Sequence, residues 1–361
     1  MALYGSYTNR IKCGDGNRQN LRPDAREPAR GEPGAVALHQ CPGRALDAHR
    51  HAGRTAPAAE PQRDLPAADP CRTGRGPGPR RVDRPQGAGQ GRCEGARMSR
   101  SIKLRTPDEI ARAREAGHLI AEVLAMLKPH VVPGVTTEEL DDLCHDYIVN
   151  TLKCIPSNVG YHGYPKTACI SPNHVVCHGI PSKDKRLKKG DIVNVDVTLT
   201  KDGWFGDSSR MFIVGEANVL ARRLVMTTYE ALRAGIRQVR PGATLGDVGF
   251  AIQKVAHEAG FSVVREYGGH GIGDVYHDEP HVNHFGRPGE GLRLQEGMIF
   301  TIEPMINAGG PGVRELADGW TVVTRDHSLS AQWEHMVAVT ADGFEILTPW
   351  PDGLGDYPAI D

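Results

Sequence analysis

Ile192-Val193-Asn194-Val195-Asp196-Val197-Thr198-Leu199-Thr200-Lys201-Asp202-Gly203-Trp204-Phe205-Gly206-Asp207-Ser208-Ser209 reads as two strands joined by a tight turn. Val, Ile and Thr dominate the first arm, the composition of a buried strand. Asp202-Gly203 supplies a two-residue loop, because both positions of such a turn favour positive φ. Lys201 then faces Trp204, and Asp196 faces Ser209. Asp207 lies two positions from Ser209 on the same side of the ribbon, a diagonal neighbour of Asp196. Two carboxylates brought together this way repel, and each raises the pKa of the other. A shared cation removes that cost. Either one alone is equally well read as an exposed hairpin residue.

Three further ionisable side chains sit in or beside apolar, strand-like sequence. They are His270 in Gly268-Gly269-His270-Gly271-Ile272-Gly273, Glu303 in Phe300-Thr301-Ile302-Glu303-Pro304-Met305, and Glu334 in Ala331-Gln332-Trp333-Glu334-His335. An unpaired ion in such a setting is expensive. Salt bridges to distant Lys or Arg are the plain alternative. Four carboxylates and one histidine suit hard or borderline divalent ions such as Mn, Fe(II) or Co, not a thiolate zinc site. Such a set can hold two ions about 3.5–4 Å apart, an arrangement that serves hydrolysis.

The rest of the chain divides in two. Residues 1–97 carry 17 Lys+Arg against 10 Asp+Glu, a net of about +7, and residues 98–361 carry 26 against 34, about −8. The first part is rich in Arg, Pro, Gly and Ala, with Lys12 its only lysine and Tyr4 and Tyr7 its only aromatics. It lacks helix or strand periodicity and cannot bury enough apolar surface to offset its ordering entropy, so it is read as disordered. GC-rich DNA translated without selection for a fold gives the same composition, which makes Met98 a candidate true start. A basic arm touching RNA or a ribosome is the remaining reading.

From Met98 the text changes. Thr106-Pro107-Asp108-Glu109 is a capped helix start. Ile110, Ala113, Leu119, Ile120, Val123, Leu124 and Leu127 then mark one buried helical face. Pro133-Gly134 breaks the pattern, and Thr136 with Glu139 caps a second helix to about Leu152. The scheme returns about 108 residues later: a helix opening at Ala221-Arg222-Arg223, a Pro241-Gly242 break, and Thr244 with Asp247 capping a helix to about Gly260. Strand-like runs follow each pair, among them Ile192–Leu199, Met298–Ile306 and Met336–Thr340. Two like halves related by a pseudo-two-fold axis, with a site between them, are expected.

Other classes are excluded. Met1 to Lys12 lack the apolar run of a secretory signal, and no stretch approaches the ~18 apolar residues of a membrane helix. The eight cysteines include no C-x-x-C pair, so neither a zinc finger nor a disulfide scaffold is indicated. Reduced thiols in the cytoplasm are the expectation.

In order, Asp196, Asp207, His270, Glu303 and Glu334 resemble the ligand set of the pita-bread metallopeptidases. Four phrases narrow the resemblance to type I methionine aminopeptidases: Tyr161-His162-Gly163-Tyr164-Pro165, Cys177-His178-Gly179-Ile180-Pro181, Gly269-His270-Gly271-Ile272-Gly273 and His277-Asp278-Glu279-Pro280. It runs from about Met98 to Pro349. It implies an α+β pita-bread fold, a curved antiparallel sheet covered by helices, over residues 98–361. It also implies removal of the initiator methionine from nascent polypeptide N-termini when the next residue is small. Two divalent ions drawn from Co, Mn, Fe(II) or Zn are implied. Asp196 would bind one of them, Asp207 and Glu334 would bridge both, and His270 and Glu303 would complete the other's shell. Glu303 would also move the proton of the attacking water, and His178 and His277 would steady the reacting amide.

The methionine pocket carries over as Tyr161, Tyr164, Cys169, Tyr276 and Trp320, walls that suit a thioether. Asn158 and Tyr276 stand where a well-known bacterial form has cysteine and phenylalanine, which puts the pocket's polarity in doubt. Asn173, Val175 and Ser330 match a monovalent-cation site. Only thirty residues separate Glu303 from Glu334, too few for the helical insertion of type II enzymes. A monomer with transient ribosome association, and neither membrane nor sequence-specific nucleic-acid binding, is the expected setting. The rivals are another pita-bread enzyme, a prolidase or aminopeptidase P, and a non-catalytic pita-bread binding protein. The first would carry a sizeable folded N-terminal domain, and the second would have lost metal ligands.

Overall fold

The computed structural model describes residues 102–351. The reading of residues 1–97 lies outside the described residues. Within them are helices α1 (Pro107–Leu127), α2 (Thr137–Asp146), α3 (Val219–Ile236) and α4 (Leu245–Glu258). The strands are β1 (Ile155–Pro156), β2 (Ala168–Pro172), β3 (Val175–Cys177), β4 (Ile192–Lys201), β5 (Trp204–Ile213), β6 (Ser262–Val263), β7 (Gly269–Gly271) and β8 (Asp278–Val282). They continue as β9 (Ile299–Ile302), β10 (Met305–Asn307), β11 (Val313–Glu315), β12 (Val322–Thr324), β13 (Ser330–Gln332), β14 (His335–Val339) and β15 (Phe344–Ile346). All strand pairings between them are antiparallel. No helix among the described residues is long and apolar enough to cross a membrane.

The expected capping boxes are present. Thr106, Thr136 and Thr244 each accept from the backbone N–H three residues on, and the acid there returns to the cap's own N–H. The repeat extends beyond the helices. Gly134 and Gly242 have positive φ, and their N–H groups donate to Leu187 and Leu294. Arg186 and Arg293 return to the carbonyls of Gly134 and Gly242, and Thr136 and Thr244 bridge to these same arginines. The same closure, built twice, is what two structurally alike halves require. Each half has its own core: α1 packs with Val193, Val195 and Val197 of β4, while α3 and α4 pack around Phe300, Ile302 and Trp333.

The second helix ends as α at Asp146 and reaches its expected end only through a π-helical turn over Tyr147–Thr151, and two other boundaries differ from the sequence reading. The third helix begins at Val219, because the Asn218 side chain accepts from the Ala221 N–H at 2.8 Å and caps it earlier. The apolar run Met298–Ile306 is two strands. Pro304 has no N–H to continue a ladder. Thus β9 lies in the sheet ordered β15-β14-β9-β7-β8, whereas β10 lies in β13-β10-β6. The chain makes the same sheet change between β13 and β14. Ile302 pairs with His335 and Met305 with Gln332, so Glu303 and Glu334 both occupy the break, side by side.

Close backbone contact locks α1 onto the sheet and the C-terminal strands. A Cβ on Gly206 of β5 would sit 2.2 Å from the Ala116 carbonyl oxygen, and one on Gly117 would sit 2.2 Å from that of Leu347. Alanine normally gains about 1 kcal/mol over glycine inside a helix. Here Gly117→Ala is expected to lose about 1–3 kcal/mol through overpacking. Thermal melts would show a midpoint lowered by several degrees, and an unchanged or raised midpoint would contradict the close approach.

Candidate metal centre and active site

The hairpin register is the one read from sequence. Lys201 pairs with Trp204 and Asp196 with Ser209, around a loop in which Asp202 and Gly203 both have positive φ. Thr198 faces Asp207 in the same ladder. The hairpin thereby carries Asp196 and Asp207 into a cleft of about 660 Å³, where His270, Glu303 and Glu334 also reach its lining. Asp207 and Glu334 are buried, while Asp196, Glu303 and His270 are half-buried against the opening. All five expected ligands therefore converge. Donor atoms of Asp207, His270 and Glu334 lie within 4.8 Å of one another.

Four of the five are held by hydrogen bonds, through side chain or backbone. The Thr198 hydroxyl donates to Asp207 Oδ1 at 2.8 Å. The Thr301 hydroxyl donates to Glu303 Oε1 at 2.8 Å and accepts from the His270 N–H at 3.0 Å. Gln332 Nε2 donates to Glu303 Oε2 at 3.2 Å, and the Glu303 N–H donates to His284 Nε2 at 3.0 Å. The Glu334 backbone is fixed to β5: its N–H donates to the Ser209 carbonyl at 3.1 Å, and its carbonyl accepts from the Ser208 hydroxyl at 2.8 Å.

The electrostatics call for a cation. Burial pushes the Asp207 carboxyl up to about 7. Burial and then neighbouring carboxylates push Asp196, Glu303 and Glu334 well up. The main charges acting on these three are acidic, not lysine or arginine. His270 Nδ1 lies 3.1 Å from the Gly271 carbonyl oxygen, which can only accept, so Nδ1 carries the hydrogen. Burial holds this imidazole down at about 4, hence neutral near pH 7. Nε2 then presents a lone pair 3.6 Å from Asp207 Oδ2 and 3.8 Å from Glu303 Oε1. Acceptors facing acceptors at these distances are satisfied by a divalent ion, and the hard oxygen-rich donor set fits one.

The pocket residues line the same cleft. Tyr164 is buried, edge-on to Trp320 at 5.0 Å, and Cys169 of β2 pairs in register with Asp196. The Tyr161 hydroxyl lies 2.8 Å from His277 Nδ1. His178, with positive φ, meets Tyr267 and Trp320 edge-on. Tyr276 stacks on Phe205, and its ring reaches His270. Its hydroxyl lies 2.6 Å from Thr198 Oγ1 and donates to Asn158 Oδ1 at 2.5 Å. Asn158 Nδ2 in turn donates to the Thr167 carbonyl at 3.0 Å. The two positions that depart from the bacterial pattern are thus bonded to each other and adjoin Thr198, whose one hydrogen goes to Asp207.

Asn173, Val175 and Ser330 lie outside this cleft. The Ser330 N–H donates to the Asn173 carbonyl at 2.8 Å. Asn307, paired in register with Ser330, has a buried Oδ1 without a hydrogen-bond partner among the described residues. Sequence reasoning assigned no role to several residues at the centre. Thr198 was within reach, since the hairpin register places it opposite Asp207. His162, Tyr267, Glu279 and His281 line the cleft without a local signal.

A sheet folded in two like halves around buried carboxylates has the architecture of the pita-bread metallopeptidases. The model of metallopeptidase family M24 matches residues 111–341. The methionine aminopeptidase of Rickettsia prowazekii is 54% identical over 259 residues, covering 72% of this chain and 99% of that one. A crystal structure of methionine aminopeptidase from that organism superposes with a TM-score of 0.68, covering 69% of this chain and 100% of that one. The methionine aminopeptidase structure from Thermotoga maritima is 40% identical, with a TM-score of 0.67 over 69% of this chain and 99% of that one. The prolidase of Pyrococcus furiosus, 21% identical with a TM-score of 0.55 over 68% of this chain and 65% of that one, shares the fold alone. The chain belongs to the methionine aminopeptidases of metallopeptidase family M24.

Tyr276→Phe removes one hydroxyl and leaves the buried Asn158 Oδ1 without its donor. Leaving a buried acceptor unbonded typically costs about 1–3 kcal/mol. Thermal melts are expected to show a midpoint lowered by several degrees, and an unchanged midpoint would contradict the Tyr276–Asn158 bond.

Proposed function

We propose that this protein hydrolyses the bond after an N-terminal methionine when the second residue is small, using two divalent ions held by Asp196, Asp207, His270, Glu303 and Glu334. One observation carries the reading: four carboxylates and an acceptor imidazole meet at a cleft walled by Tyr164, Cys169 and Trp320. The ions, drawn from Co, Mn, Fe(II) or Zn, would supply Lewis acidity and an activated water. Asp207 and Glu334, the most buried acids, suit sharing between the two ions. Glu303 is fixed at both oxygens by Thr301 and Gln332, which suits it to take a proton from water and pass it to the departing amine. His178 and His277 would orient the scissile amide and stabilise the charge formed on it. Aromatic and thiol walls hold the methionine side chain.

The monovalent-cation site is read at Asn173, Val175 and Ser330, and the unpartnered Asn307 Oδ1 beside it supports that reading. The natural substrates are nascent polypeptide N-termini in the cytoplasm, met during transient association with the ribosome by a monomeric enzyme. Residues 98–361 are the catalytic unit. Residues 1–97 take no part in the chemistry.

With Mn²⁺ or Co²⁺ present, Met-Ala-Ser is expected to be cleaved, and Met-Lys and Ala-Pro peptides are expected to remain intact. A chelator should stop the reaction. Asp207→Ala and Glu334→Ala should each abolish turnover, and retained activity in either would contradict a shared dinuclear site. Efficient release of Ala from Ala-Pro substrates would favour the prolidase or aminopeptidase P reading instead.

Metal binding must displace carboxyl protons, Asp207's among them with its pKa near 7. Affinity therefore rises with pH and levels off once these carboxyls are ionised. The thermal stabilisation by Mn²⁺ should be small at pH 5.5 and grow toward pH 8, reaching about 2.7 kcal/mol at a free-ion level about 100 times Kd. Equal stabilisation at both ends would contradict ligation by these acids.

A further inference from the structure

A second cleft, of about 530 Å³, adjoins the first, and Glu279 and His281 line both. Its walls include Leu245, Phe285 and Leu292. Its floor follows β8. In that strand Glu279 and His281 are exposed while Pro280 and Val282 are buried, and the alternation continues to exposed Asn283. His281 Nε2 lies 3.1 Å from Asn283 Oδ1, which keeps the two on one side. At about 3.3 Å per residue, this row spans roughly 13 Å, the length of about four extended residues. Asn283 lines the second cleft only, so the row leads out of the active site and into its neighbour.

β8 is the edge of the sheet β15-β14-β9-β7-β8. It pairs with β7 on one side, and among the described residues its backbone bonds to no other strand or loop. Apart from Pro280, which has no N–H to give, this open edge is a template for an extended peptide, with main-chain hydrogen bonds giving affinity whatever the side chains. The row offers an acid, an imidazole and an amide, groups that bond backbone without requiring a particular sequence. A substrate whose first residue fills the methionine pocket must send the rest of its chain out of the cleft.

We propose that the second cleft holds the residues that follow the scissile bond, laid as an extended strand along the outer edge of β8. The enzyme then grips a stretch of polypeptide rather than a dipeptide. It does so without reading sequence beyond the second residue. This inference rests on the proposed aminopeptidase activity.

The test uses the full chain with Mn²⁺ and peptides of three, five and seven residues, each beginning Met-Ala-Ser and extended with Ala and Gly. kcat/KM is expected to rise roughly tenfold from three to seven residues, the worth of one or two backbone hydrogen bonds, with the change mainly in KM. In Asn283→Trp, which fills the second cleft, the seven-to-three ratio should fall to about one. Independently of any variant, a seven-residue peptide with a photo-crosslinker at its fifth position should label the segment 283–292. A flat length dependence in the wild type would overturn the proposal, as would a ratio that survives Asn283→Trp or labelling confined to other segments. A length effect that appears only after removal of residues 1–97 would assign the cleft to this chain's own N-terminal segment, and it too would overturn the proposal. Failure of the wild type to cleave the tripeptide would sink the aminopeptidase reading and this proposal with it. Cleavage of the tripeptide without a length effect would sink this proposal alone.

Discussion

Asp196, Asp207, Glu303 and Glu334 repel one another in a cleft where water screens them poorly. Left alone, such a group takes up protons or pushes the surrounding structure apart. The fold does not let it move apart. Asp196 and Asp207 are locked by a ten-residue antiparallel register, and Glu303 and Glu334 by a paired exit of two neighbouring strands from one sheet into another. The structure therefore maintains an unfavourable electrostatic arrangement by means of favourable packing, and a divalent cation relieves it. The same coupling makes metal binding a source of folding stability.

The positioning is cooperative. Thr301 serves two ligands at once, since its oxygen takes the His270 N–H and its hydroxyl bonds Glu303. Thr198 bonds Asp207 and adjoins the Tyr276 hydroxyl, which donates to Asn158, and the Tyr276 ring lies against that of His270. The residues proposed to shape a methionine pocket are thus in mechanical contact with those that would hold the metals. A change in pocket polarity at Asn158 or Tyr276 is also a change behind Asp207. The Asn158–Tyr276 pair acts as a unit, because each satisfies a polar atom that the other would otherwise leave buried and unbonded.

Much of this was legible in the chain, where local chemistry dictates geometry. Asp202-Gly203 sets the turn, the turn sets the register, and the register places Asp196 and Asp207 on one side. Three capping boxes and two Pro-Gly breaks announced the duplicated helices. The break at Glu303 was missed, although Pro304 signals it, because apolar residues on both sides imitate one strand. Thr198 could have been read from its position opposite Asp207. The Tyr276–Asn158 bond could not, since it joins residues 118 positions apart. The pairing of β8 with β7 and the adjoining second cleft are likewise consequences of long-range assembly.

The central claim is that the acidic side chains and His270 enclose a pair of divalent ions between the two halves. Anomalous diffraction from Mn²⁺-soaked crystals at neutral pH tests it most directly. Two anomalous peaks about 3.5–4 Å apart, each within bonding distance of these side chains, are the result the account predicts. A cluster with no anomalous signal under saturating Mn²⁺, its carboxyl groups bonded to one another instead, would contradict it.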